Sequence, residues 1–211
     1  MTVVFKRWAL SGMAALLLAG CSGSTKPSDS NGSTATTGPT SPPQLVAAKT
    51  AFWPMYKSAS AWAPDVVILG LTEKDVPGFT NDAGKAALWE ATFGSPNLHK
   101  YRVDTYAIAT VLPSIHKGAV AGLALPWTGA TRDAMPVDLT SFNTDSDAAY
   151  AAAAADAADW LKKNSDKKLT SITLGNAFKF HTPVWAVMWG DKKSGYIAYV
   201  DANSGKVLKG K

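Results

Sequence analysis

Two stretches of this chain, about 96 residues apart, carry the same aromatic skeleton. Trp62 matches Trp160, Trp89 matches Trp185, Phe93 matches Trp189, Gly94 matches Gly190 and Tyr101 matches Tyr196, at offsets of 98, 96, 96, 96 and 95 residues. Both copies read Trp-x3-[Phe/Trp]-Gly, then a polar turn, then an aromatic-led strand. Five anchors in the same order argue for internal duplication, so one small unit must fold twice within the chain.

Each unit opens on a helical pattern. Leu45, Ala48, Phe52, Tyr56, Ala59 and Trp62 share a face at helical spacing, with Pro54 expected to kink or restart that helix. In the second unit Thr144, Asp145 and Ser146 are capping candidates, Tyr150, Ala153, Ala157, Trp160 and Leu161 share a face, and Lys162, Lys163 and Asn164 close it. Strand-like runs follow at 66–72, 85–94, 100–110 and 118–127, and again at 169–174, 184–190, 195–202 and 206–209. "WGDKKSGY" and "DANSGK" read as hairpin turns. The expected fold class is α+β: two helix-plus-antiparallel-sheet repeats, over 44–127 and 145–211, joined by a link at 128–144.

Ahead of the repeats, Lys6 and Arg7 precede an apolar stretch from Trp8 to Ala19. That run is shorter than the roughly 20 apolar residues of a spanning helix and has the size of a signal-peptide core. Leu18-Ala19-Gly20-Cys21 resembles the bacterial lipobox. The resemblance implies cleavage after residue 20, with diacylglycerol on the Cys21 sulfur and an acyl group on its nitrogen. Several chains hold a protein at a membrane durably where one does not. The alternatives are an ordinary signal peptide with a chance cysteine, or a cytosolic chain with a buried thiol. Ser22, where Asp would signal inner-membrane retention, favours the outer membrane if the cell has one, and otherwise the cell membrane. Residues 22–43 hold no Val, Ile, Leu, Met or aromatic residue, so 21–43 reads as a lipidated, disordered tether with a mean reach on the order of 25 Å. With Cys21 the only cysteine, no disulfide is available within the chain.

Charge is uneven. Residues 162–211 carry ten lysines against three aspartates, while 21–161 are net −4. A basic end suits an anionic surface or acidic partner, although lysines at turns also serve solubility. They are not interleaved with aromatics, so no nucleic acid is expected.

The stretch 184–208, "VWAVMWGDKKSGYIAYVDANSGKVL", preceded by an alanine-rich helix, resembles a PepSY-type domain over roughly 145–209. The first unit departs from that family's closing hairpin, with "GSPNLHKY" in its place. The tandem arrangement also resembles β-lactamase-inhibitory proteins. These resemblances imply a non-catalytic extracytoplasmic module that binds or restrains other proteins, peptidases among them. They bring no catalytic residues.

The residues agree. His99, His116 and His181 have no metal-ligand neighbour at helical spacing, and no metal or cofactor is expected beyond the lipid. Glu73 and Glu90 are the only glutamates, and Asp104 and Asp201 are read as turn caps. No nucleophile elbow or phosphate loop is found. Trp62, Trp89, Trp160 and Trp185 are expected in the core, and Trp127 over the seam between repeats. Phe93 and Trp189 are either core or half-exposed; in the second case they form, with Tyr101 and Tyr196, a partner-binding surface. The expected function is a lipid-anchored binding module for an envelope protein or peptide. A structural envelope role is the alternative, and a hydrolytic enzyme the remoter one.

Overall fold

The computed structural model describes residues 43–111, 113–132, 134–177 and 179–209. The expected signal peptide, Cys21 and all but the last residue of the tether lie outside the described residues. The elements are β1 (Val46–Ala47), α1 (Ala48–Trp62), β2 (Val67–Lys74), β3 (Lys85–Ala86), β4 (Leu88–Ser95), β5 (Lys100–Ala107), β6 (Gly118–Val120), β7 (Leu125–Pro126), α2 (Ser146–Asp156), α3 (Ala158–Lys163), β8 (Leu169–Ala177), β9 (Thr182–Trp189), β10 (Tyr196–Asp201) and β11 (Val207–Leu208). A single turn of 3-10 helix covers Leu139–Ser141.

Nine strands form one antiparallel sheet in the order β11-β10-β9-β8-β2-β4-β5-β6, with β7 also on β5; β1 and β3 pair separately. The order is a meander read outwards in both directions from the β2–β8 join. There Leu71 faces Leu174 and Thr72 faces Thr173. On either side the next ladder carries an irregularity at a matching place, between Ile68 and Gly70 against β4 and between Leu169 and Ser171 against β9.

α1 and α2 lie on one face of this sheet. Every second residue of the strands reaches that face, so Leu71, Trp89, Phe93, Ile172, Trp185, Trp189 and Val200 form a continuous core with Ala51, Phe52, Met55, Ala149 and Ala153 of the helices. The alanines of α2 allow the close approach that their sequence pattern suggests. α1 runs unbroken through Pro54, which faces solvent beside Thr50; the restart is not seen. The second helix is broken at Ala157 into α2 and α3, and Asn164 closes it by donating its side-chain amide to the Trp160 carbonyl.

The start of α1 has no side-chain cap of its own. Its Ala48 N–H donates to Ser146 Oγ at 2.8 Å and its Lys49 N–H to Asp145 Oδ1 at 3.0 Å, so the cap of α2 also caps α1. Ser146 is fully buried and donates in turn to the Gly84 carbonyl. Gly84 sits at φ +80°, and a Cβ there would lie 2.4 Å from the Ser146 carbonyl oxygen. The two tryptophans at the centre of the core are held alike. Trp89 Nε1 donates to Val46 O and Trp185 Nε1 to Thr144 O, each at 3.0 Å and each two residues before a helix start. Their rings meet edge to face at 6.4 Å.

Candidate functional site

The sheet face away from the helices is the larger candidate surface. Around the join it presents Thr72, Thr92, Ser171 and Thr173, all half-buried, with Met188 and Tyr199 further out and Ile197 41% exposed. Two shallow depressions flank the centre. One, of about 240 Å³, lies among Leu69, Thr92, Tyr101 and Trp127; the other, of about 120 Å³, among Thr173, Val184, Ala186 and Tyr199. Phe180 packs on Tyr199 at 5.2 Å between ring centres.

The four aromatics proposed from sequence do not come together on this face. Phe93 is 0% and Trp189 3% exposed, both in the helix-side core. Core packing is therefore the observed outcome, and their place in a binding surface is corrected. Tyr196 also points to the helix side, where its ring packs against Trp160 and its hydroxyl donates to Asp156 Oδ2 at 2.8 Å. Tyr101 lies opposite Gly94 and faces the open side. The reason is register. Phe93 pairs with Arg102, whereas Trp189 pairs with Tyr196, so the β4–β5 hairpin is two residues longer and Arg102, not Tyr101, occupies the place of Tyr196. A slip of one residue moves a strand side chain to the opposite face. Trp127 lies flat on Gly94, within the β4 side of the sheet rather than over the β2–β8 join; a Cβ at Gly94 would meet its ring at 2.8 Å.

Other sequence candidates are dispersed. His99, His116 and His181 occupy three separate loops, and among the described residues no cluster of three metal-type ligands occurs. Asp201 caps its turn, accepting from Asn203 N, Ser204 N and Ser204 Oγ. Asp191 does the same in the preceding hairpin; the Ser194 hydroxyl and backbone hold its carboxyl down at about 2. Asp104 departs from the turn-cap expectation. It is buried and accepts from Arg102 Nη2 at 2.7 Å. Burial raises its carboxyl above the ordinary range, against the pull of Gly122 N–H and Arg102. Glu73 and Glu90 are on opposite faces: Glu90 pairs with Lys74 at 2.8 Å, while Glu73 faces the helix side beside Trp89.

Glu73 lines the second candidate site, a cleft of about 500 Å³ where β2 and β8 cease to pair, together with Asp75, Phe79, Thr80, Lys168 and Thr170. Glu73 is 8% exposed, and its buried Oε2 has no hydrogen-bond partner. Burial above all, then the negative charge of Asp75, pushes its carboxyl up to about 7, against the pull of the Ile172 backbone N–H. The sequence gives Glu73 no role beyond being one of two glutamates, yet a signal is present. Glu73 follows Leu71 at strand period two, a carboxylate in phase with core residues.

No protein-family model matches this chain. No curated protein matches it either. Among solved structures, a crystal structure of a chain from Clostridium difficile 630, provisionally described as a lipoprotein, is similar with a TM-score of 0.48 over 74% of this chain and 88% of that one, at 14% identity.

Proposed function

We propose that this chain is a lipid-anchored cell-envelope protein whose folded part is a non-catalytic binding module for a protein or peptide partner. One observation carries the binding reading: a nine-stranded sheet is covered by helices on one face and presents half-buried hydroxyls beside Tyr199 and Ile197 on the other. Aromatic and apolar side chains among hydroxyls on a rigid sheet suit recognition of another macromolecule. The anchoring reading rests on residues 1–21; among the described residues no helix is long and apolar enough to cross a membrane. Acylation is tested by intact-mass analysis of the membrane-extracted protein; Cys21→Ser would abolish both the added mass and membrane retention.

The two-unit reading belongs here as well. The meander order on each side of β2–β8, the matching irregularities and the twin indole bonds support two copies of one PepSY-like unit. The open face would then be one surface shared by both copies.

A photo-crosslinking amino acid placed at Thr92, Thr173 or Ile197 tests the binding role in the native envelope. A discrete crosslinked partner from these positions, and none from exposed Lys57 on α1, is expected. Equal labelling from both faces, or none, would favour a structural envelope role.

A further inference from the structure

The cleft at the β2–β8 join lies on the helix side of the sheet, apart from the open face, and its walls are built. Asn81 bridges the loop between β2 and β3, donating to the Lys74 carbonyl and accepting from Ala87 N–H. Thr170 Oγ1 donates to the Gly190 carbonyl. Into this space the sheet places a carboxyl that is almost wholly buried, with one oxygen unsatisfied. A buried polar atom without a partner is costly, and it is uncommon in a folded chain. At the matching place on the other side of the join stands Leu174, so the fold itself does not require a carboxyl there.

The lining chooses among ligands. Two carboxyl groups, Glu73 and Asp75, favour a cation. A bare divalent metal ion wants six or more oxygens, more than two carboxylates and one lysine-flanked wall provide. The Phe79 ring suits an organic ammonium instead, which aromatic faces attract. Lys168, from the β8 side, opposes a simple amine and favours a ligand with an acidic group as well. We propose that this cleft binds a small zwitterion, an amino acid or short peptide, with its ammonium at Glu73 and Asp75 and its carboxylate at Lys168.

The test uses the described folded region within the full chain, titrated by calorimetry and amide NMR with L-alanine and with L-alanyl-L-alanine, which separate the two sources of that chemistry. N-acetyl-L-alanine and ethylamine each lack one charge. Saturable shifts at Glu73 and Lys168 with a zwitterion, and binding at least about tenfold weaker for either single-charge probe, are expected. Because a cation favours the ionised carboxyl, affinity should rise up to about tenfold per pH unit approaching pH 7 and then level; the other titratable groups lining the cleft are Asp75 and Lys168. Glu73→Gln, which keeps the shape, should weaken binding at least about tenfold and flatten the pH profile, with a thermal transition no lower than that of the native chain at the same pH as the folding control. Lys168→Gln should bring ethylamine level with the zwitterions. No saturable shift with any probe up to about 20 mM, or affinity indifferent to Glu73→Gln, would overturn the proposal. Neither result touches the open-face reading, whose crosslinks lie on the other side of the sheet.

Discussion

Beneath α1, Trp62 lies over the Arg102 guanidinium at 4.9 Å, and Arg102 in turn donates to Asp104 and to Ser58 Oγ. At the matching place beneath α3, Trp160 packs on Tyr196 at 5.7 Å, Ala198 stands where Asp104 does, and the Tyr196 hydroxyl reaches Asp156, which also pairs with Lys209. One half of the sheet fills the space with an ion pair, the other with an aromatic ring and a pair moved outward to solvent. Removing two charges from water costs several kcal/mol per ion before their attraction recovers it. The raised carboxyl of Asp104 is that cost made visible, as is the buried Arg102 Nε without a partner. Asp156, half-buried beside the exposed Lys209, is instead held low, first by Lys209. The same packing position thus tolerates a charge pair only as a complete unit, and tolerates an aromatic ring with less at stake.

The sharpest way to break this comparison is to remove one partner. Asp104→Ala strands Arg102 in the core and should cost about 3–5 kcal/mol in urea unfolding. Copying the second half with Arg102→Tyr and Asp104→Ala together should return to within about 1 kcal/mol of the native chain. A double variant as damaged as the single one would mean that the halves are not interchangeable.

Glu73 against Leu174 makes the second contrast. The folded Glu73 keeps its proton to about pH 7, above its ordinary 4.5, so its contribution to stability is complete below pH 4.5 and is lost as pH rises towards 7. Glu73→Leu should therefore gain on the order of 3 kcal/mol at pH 8 relative to its difference from the native chain at pH 4, read by chemical denaturation at the two pH values. An equal difference at both would show that the carboxyl has a partner in solution.

Smaller effects test the shared geometry. Ser146→Ala removes two buried hydrogen bonds, to Ala48 N–H and Gly84 O, and should cost about 2 kcal/mol. Ala48, the matching residue in α1, carries no such hydroxyl, so the cap is one-sided although the helices are paired. Trp89→Phe and Trp185→Phe each remove an indole donor to a backbone carbonyl and should cost about 1–1.5 kcal/mol each in thermal denaturation. Unequal losses would separate two tryptophans that the bonding pattern makes equivalent.

What was legible in the sequence was local. The alternation of Trp185, Val187 and Trp189 placed all three on one strand face, as observed, because side chains alternate strictly along a strand. Asp201 could be read as a turn cap because its partners are two and three residues away. Acids at the start of α2 and lysines at the end of α3 follow the helix dipole, even though Ala157 divides the two. The candidate site was less legible. The aromatic skeleton marked Phe93, Trp189 and Tyr196, which pack on the helix side, while Glu73 was counted as one of two glutamates and given no role.

The sequence by itself determined the helix-plus-strand alternation, the hairpin chemistry and the polar composition of the region that follows Cys21, since propensity, turn partners and hydrophobic content act over a few residues. Only the tertiary structure decided that Tyr101 and Tyr196 face opposite ways, because that depends on the pairing register, which puts Arg102 rather than Tyr101 in the place of Tyr196. It alone decided that α1 takes its cap from Ser146, 98 residues away, and that Glu73 stands unpaired where two strands part. Each of those outcomes turns on which distant groups meet, and spacing along the chain does not encode that.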